Sequence, residues 1–218
     1  MIVAIDGPAG AGKSSIARLL AERLGFAFLD TGAMYRAVAL AALQSGLGSG
    51  DDAAIARLAA GLTIDFDGIH TLLNGEDVSA AIRTPEVTAA VHLAADNIAV
   101  RERLVTLQRK IAAGRDIVTE GRDQGTVAFP HAQTKIFLTA SREERSRRRF
   151  EELQSRGERM TLAQVLADQD ERDERDAARP VGALRKAPDA IEVLTDHLTL
   201  DAVVDRLEEI VHGSSSQR

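Results

Sequence analysis

Short apolar runs alternate with amphipathic stretches along this chain, in the order strand, helix, strand, helix. Residues 2–6 (Ile-Val-Ala-Ile-Asp) are a continuous apolar run of the kind that fills a central strand. From Lys13 the period becomes helical: Ile16, Leu19, Leu20 and Leu24 share one face over 13–24, and Gly25 suits the position just past the helix end. Residues 26–30 (Phe-Ala-Phe-Leu-Asp) predict a second strand, followed by a helix from Thr31 to Gln44 that Gly46, Gly48 and Gly50 terminate. Further strands are expected at 116–120, 135–139 and 190–195, each separated from the next by a helical segment. Five strands alternating with helices predict an α/β fold, a five-stranded parallel sheet covered by helices on both faces.

One segment departs from this rhythm. Residues 62–78 carry apolar positions separated by the turn signals Asp67-Gly68 and Asn74-Gly75, which predicts a small antiparallel β insertion. Such a piece is too small for a core of its own and is of the kind that covers a site. The polar tail from Gly213 to Arg218 (Gly-Ser-Ser-Ser-Gln-Arg) reads as disordered.

Composition removes several classes of function. With 27 basic and 33 acidic residues the formal charge is −6, a poor basis for sequence-independent nucleic-acid binding. Six Phe, one Tyr and no Trp leave little for base-stacking platforms. The chain has no cysteine, hence no disulfide framework, thiolate metal site or cysteine nucleophile. No apolar run approaches the ~20 residues of a membrane span. Met1 to Asp6 lack the basic flank of a secretory leader and read as a strand. A soluble, cytoplasmic protein with neither nucleic acid nor membrane as partner is expected. The basic set is uneven, 23 arginines against 4 lysines, and 16 of those arginines fall between Arg101 and Arg185. They either pair with nearby carboxylates or converge on a small anion.

Between the first strand and first helix lies Gly7-Pro8-Ala9-Gly10-Ala11-Gly12-Lys13-Ser14, a full match to G-x-x-x-x-G-K-[ST] in its proper context. Its glycines let backbone N–H groups cradle phosphate at a helix N-terminus. Lys13 is expected to reach the β- and γ-phosphates and the Ser14 hydroxyl to bind Mg²⁺. Alone, the motif leaves kinase, GTPase switch, motor and transporter ATPase open. The length argues against most motors, and the absence of an Asn-Lys-x-Asp run argues against a guanine switch.

Ligands of open α/β sheets bind outside the carboxyl ends of the strands. After the second strand comes Asp30-Thr31-Gly32-Ala33-Met34-Tyr35-Arg36, and after the third Glu120-Gly121-Arg122-Asp123-Gln124-Gly125. Both deliver a carboxylate and an arginine beside the phosphate loop, which predicts a second anion site. Two helical stretches add guanidinium groups at helical spacing: Arg145, Arg148 and Arg149, then Arg172, Arg175 and Arg179 with the carboxylate Asp176 among them. Arginine suits planar, bidentate phosphate contact, and phosphoryl transfer needs positive charge more than covalent help.

Taken with Gly75-Glu76-Asp77-Val78 and Ile82-Arg83-Thr84-Pro85-Glu86-Val87, these segments resemble the bacterial cytidylate kinases, within the P-loop nucleoside monophosphate kinases. The resemblance implies transfer of the ATP γ-phosphoryl to CMP or dCMP with Mg²⁺. It implies a kinase core over 1–53 and 94–212, a monophosphate-binding insert over 54–93, and a lid over 146–158. Gly7, Pro8, Ala9, Gly10, Ala11, Gly12, Lys13, Ser14 and Ser15 would bind ATP. Thr31, Arg101 and Asp123 would read cytosine; Arg36, Arg122 and Arg179 would clamp the acceptor phosphate; Arg172 with Asp176 would contact the sugar. Arg148 and Arg149 would join Lys13 and Arg122 on the transferring phosphoryl, and Asp30 would hold the metal's water shell. A carboxylate at Asp123 suits the exocyclic amine of cytosine, a donor that uracil lacks. Three positions depart from the family's pattern: His92 replaces a serine, Gln124 an apolar residue and Ala183 a proline. A site within one chain makes a monomer sufficient. The alternatives are another small-molecule P-loop kinase, for UMP, AMP or shikimate, or a nucleotide-gated regulatory binding protein.

Overall fold

The computed structural model describes residues 1–68, 70–155 and 157–215. In chain order the elements are β1 (Ile2–Asp6), α1 (Lys13–Leu24), β2 (Ala27–Asp30), α2 (Thr31–Gln44), α3 (Asp52–Gly61), β3 (Ile64–Asp67), β4 (His70–Leu73), β5 (Glu76–Asp77), α4 (Pro85–Ala90), α5 (His92–Ala95), α6 (Ile98–Ala112), β6 (Ile117–Gly121), β7 (Thr134–Thr139), α7 (Arg142–Ser155), α8 (Leu162–Ala178), β8 (Ile191–Leu194) and α9 (Leu200–Ser215). The five expected strands are present, each end within one residue of its expected place. Helices α1 and α2 have the expected bounds.

The chain forms two compact units, Met1–Leu29 with Ala112–Arg218, and Asp30–Ile111. In the first, the parallel sheet has the order β2-β6-β1-β7-β8, flanked by helices. β1, the strand laid down first, is central. It pairs with β6 from Ile2↔Ile117 to Asp6↔Gly121 and with β7 from Val3↔Thr134 to Asp6↔Phe137. Its burial follows from its apolar run: Val3, Ala4 and Ile5 are wholly inaccessible. Ile16 and Leu20 of α1 and Val204 and Leu207 of α9 close one core with Val3, Ile5, Val118 and Ile136. Gly25 ends α1 in the left-handed conformation, φ 67°.

The second unit holds the expected antiparallel piece as a three-stranded sheet, β3-β4-β5. Asn74 and Gly75, both at positive φ, make the tight turn between β4 and β5. Ile69 of the expected hairpin lies outside the described residues.

The C-terminal end differs from expectation. Helix α9 continues through Gly213 to Ser215, so no disordered tail begins at Gly213. The Ser214 hydroxyl donates to the Ile210 carbonyl one turn back at 2.9 Å, giving this polar residue a partner within the helix. Residues 216–218 of that expected tail lie outside the described residues. The expected lid, 146–158, is the C-terminal part of α7 and the turn after it. Gly157 N–H donates to Gln154 O and Glu158 N–H to Leu153 O, closing the helix, while Arg156 lies outside the described residues. A Thr161–Gln164 capping box then starts α8.

Candidate active site

The phosphate loop follows β1 directly, and its shape depends on a close approach. A β-carbon on Gly7 would stand 1.9 Å from the Leu138 carbonyl oxygen of β7, so only glycine fits there. Lys13 is 5% exposed, and its ammonium donates to the Pro8 carbonyl at 2.7 Å, folding the loop upon itself. Burial pushes Lys13 down from its ordinary value to about 7; Arg122 and Arg172 push the same way, and Glu120 and Asp6 oppose them. Three cationic groups therefore share one neighbourhood, the electrostatics of a site built to receive negative charge.

Two helices hold the loop from outside. Arg145 of α7 donates to the Ala9 carbonyl at 3.0 Å, and Gln169 of α8 donates to the same oxygen at 3.2 Å. Arg145 also pairs with Asp173 at 2.6 Å. Neither Arg145 nor Gln169 was singled out as a loop holder by sequence reasoning. Their partner is a backbone carbonyl more than 130 positions away, which leaves no local signal.

At the next strand, the Ser14 hydroxyl donates to Glu120 of β6 at 2.8 Å. A hydroxyl beside a carboxylate is an oxygen donor set suited to a hard divalent cation, and Mg²⁺ takes only one or two protein oxygens beside water and phosphate. That explains why no group of three or more His, Cys, Asp or Glu able to hold a metal occurs among the described residues. Sequence reasoning missed Glu120 in this role, although a carboxylate at the end of the strand beside the phosphate-loop strand is a usable signal. The β1–β6 register, ending in Asp6↔Gly121, brings Arg122 and Asp123 beside the loop.

Arg122 belongs to a buried network. Its Nε donates to Asp176 Oδ2 at 2.8 Å, and Arg179 Nη2 donates to Asp176 Oδ1 at 2.7 Å. The Asp176 carboxyl is held below the usual carboxylate range: burial would raise it, but Arg122 and Arg179 prevail. Its two oxygens orient two guanidinium groups, one from the end of β6 and one from the end of α8. Arg172 is half-buried, and its charge is felt by both Lys13 and Asp176. Asp123 is 3% exposed. Gln124, expected as a departure from the family pattern, is buried and accepts from the Thr119 hydroxyl at 2.8 Å, so the amide has a built partner.

The helix α7 does not present its arginines together. Arg145 turns to the loop. Arg148 lies beside the loop, 3.9 Å from where a β-carbon on Gly12 would stand, and donates to Glu144 and to both the hydroxyl and the carbonyl of Thr195. Arg149 pairs with Glu152 at 2.8 Å on the same helix. Arg175 likewise pairs with exposed Glu171, one turn back on α8.

In the second unit, Asp30 caps α2, accepting from Ala33 N–H at 2.9 Å, and pairs with Arg83 at 3.2 Å. Thr31 is buried at the first position of that helix. The Arg36 guanidinium lies over Gly32, where a β-carbon would meet it at 3.1 Å. Arg101 is buried, donates to Ala95 O at 3.0 Å and lies over the Tyr35 ring at 5.3 Å. His92 sets Nδ1 2.8 Å from the Ala89 carbonyl, a contact within its own unit.

Comparison with known proteins gives one consistent result. The family model for cytidylate kinase matches residues 3–213. The cytidylate kinase of Rhodopirellula baltica is 51% identical over 211 residues, 97% of this chain and 92% of that protein. The cytidylate kinase of a Geobacter species is 47% identical over 221 residues, covering 100% of this chain and 95% of its own. Among solved structures, an uncharacterized protein from Eubacterium ventriosum superposes with a TM-score of 0.52 at 14% identity over 96% of both chains, a likeness of fold alone. No helix among the described residues is long and apolar enough to cross a membrane.

Proposed function

Because the chain belongs to the cytidylate kinase family, we infer that it transfers the γ-phosphoryl group of ATP to CMP and dCMP, giving CDP and dCDP. The observation that carries the reading is the cationic neighbourhood of Lys13, with Arg122 and Arg172 gathered at the phosphate loop. A UMP, AMP or shikimate acceptor is not favoured beside a family match over residues 3–213.

In the first unit, the backbone of Gly7 to Ser15 holds the ATP phosphates, and Lys13 exchanges its bond to Pro8 for phosphate oxygens. Ser14 and Glu120 would hold Mg²⁺ and its water, and that ion would neutralise charge on the phosphates. We assign the metal's carboxylate to Glu120 in place of Asp30, whose oxygens serve the α2 N-terminus and Arg83. Arg122 and Arg179, aligned by Asp176, clamp the acceptor phosphate; Arg172 and Asp176 flank its sugar. Asp123 accepts from the exocyclic amine of cytosine. In the second unit, Thr31 and Arg101 read the base and Arg36 binds the phosphate. Arg148, beside the phosphate loop, and Arg149, through motion of the 146–158 lid, stabilise the transferring group. A phosphoryl transition state of this kind is served by positioning and positive charge, and no general base is required of the protein. The insert over 54–93 carries the acceptor, and a cytoplasmic monomer suffices.

A coupled assay of ADP release across the nucleoside monophosphates tests this. Release should depend on added CMP or dCMP and exceed that with UMP or AMP by about tenfold or more, the difference one satisfied polar contact makes. The same slow release with or without CMP would identify a nucleotide-gated binding protein instead. Lys13→Ala should lower kcat about a thousandfold.

A further inference from the structure

Asp6 is a buried carboxylate that the mechanism above does not use. It is the last residue of β1 and 4% exposed. Its Oδ1 accepts from Gln124 N–H and its Oδ2 from Gly125 N–H, both at 2.7 Å. Those are the first two N–H groups of the wide turn Gln124–Ala128, which directly follows Arg122 and Asp123. The opening N–H groups of a helical turn have no partner inside it, and an aspartate just before the turn ordinarily accepts them itself. Here the residue in that place is Asp123, and its side chain makes no capping bond. The cap arrives from another strand.

The surroundings are shaped for that arrangement. A β-carbon on Gly125 would meet Lys135 Cδ at 3.2 Å and Asp6 Oδ2 at 3.4 Å, so a side chain there would press on the acceptor. The Thr119 hydroxyl fixes the Gln124 side chain, with both residues at most 1% exposed. Burial pushes Asp6 up to about 6 even though both N–H bonds pull it down, so keeping this carboxylate beneath the phosphate loop is costly.

We propose that Asp6 is a positioning residue for pyrimidine selection: by capping the turn after Arg122 and Asp123 from the neighbouring strand, it fixes the backbone that carries the Asp123 carboxylate toward the acceptor base. Without it, the Gln124 and Gly125 N–H groups lose their acceptors and the segment carrying Asp123 loses its fixed place. The proposal rests on the reading of Asp123 as the cytosine acceptor.

Asp6→Asn keeps the size, removes one acceptor and sets an amide NH₂ against one of the two N–H donors. Steady-state kinetics should show kcat/KM for CMP falling about tenfold or more, carried by KM for CMP. The CMP-to-UMP preference should fall with it, while KM for ATP stays within about twofold. Gly125→Ala should show the same split at about threefold, and it decides the matter if Asp6→Asn does not fold. An unchanged CMP-to-UMP preference, or KM for ATP rising in step with KM for CMP, overturns the proposal. Asp123→Ala, measured in parallel, separates the two claims. If it collapses the preference and Asp6→Asn does not, the role of Asp6 alone fails; if it leaves the preference intact, the assignment of Asp123 fails and takes this proposal with it.

Discussion

Two carboxylates in this protein each gather two arginines, and they do different work. Glu144 accepts from Arg147 and Arg148 on its own helix, one and the same stretch of α7. Asp176 accepts from Arg122, at the end of β6, and from Arg179, at the end of α8. The first arrangement follows from helical spacing and would form in any solvated helix with this sequence. The second exists only because the sheet and α8 are assembled, and its members are nearly all out of water. An arginine-rich helix is thus not in itself a binding surface. What sets the Asp176 arginines apart is a shared, buried carboxylate that joins elements distant in the chain.

Asp176→Ala should have the largest effect, because it removes the buried carboxylate that Arg122 and Arg179 share. We expect a loss of about 4 kcal/mol in chemical denaturation and loss of CMP binding in calorimetry. A loss below about 1 kcal/mol would place Asp176 with the surface pairs. Arg148→Ala should lower kcat about a hundredfold, since this arginine alone of the Glu144 pair lies beside the phosphate loop. Rapid-quench kinetics would place that loss in the chemical step.

A smaller effect separates the pairs by pH. The Asp176 carboxyl is held below its ordinary 3.8, so its contribution to stability is present above that value and is lost as pH falls through the lower folded value. The gap in Tm between the wild type and Asp176→Asn should therefore hold from about pH 7 to about pH 5 and close only below about pH 4. A gap that closes above pH 5 would break the assignment. Arg147→Ala, with its side chain 53% exposed, should change stability by about 0.5 kcal/mol and leave turnover unaltered.

Much of this was legible beforehand where cause and effect are local. The phosphate loop, the strand before it and the bounds of α1 follow from a motif, an apolar run and a helical period within 24 residues. The arginines of α7 were legible as a face but not as individuals. Arg145 looks like its neighbours in sequence, yet it turns inward to a carbonyl that only the folded loop presents. Asp6 reads as the polar end of a strand, and its two acceptors are met by N–H groups 118 and 119 positions on. Glu120 reads in sequence as the end of a strand, but its hydrogen bond to Ser14 depends on two parallel strands ending together. For Asp6 and Glu120 the missing information is a pairing register, and for Arg145 the docking of a helix on a loop; periodicity encodes neither. The last helix shows the opposite limit: a polar composition predicted disorder at Gly213, and helix continuity carried the chain to Ser215.

The central place of β1 has a consequence for how the protein comes into being. Ile2 pairs with Ile117 and Val3 with Thr134, so both edges of the first strand wait for segments translated much later. A ribosome delivers the phosphate motif early and its structural support late, and contacts of such long range form slowly. Until β6 and β7 emerge, an apolar strand stands unpaired, the stage at which a nascent chain is most exposed to aggregation. A nascent chain halted at Ile111 would carry the whole phosphate motif without either of the strands that pair with β1.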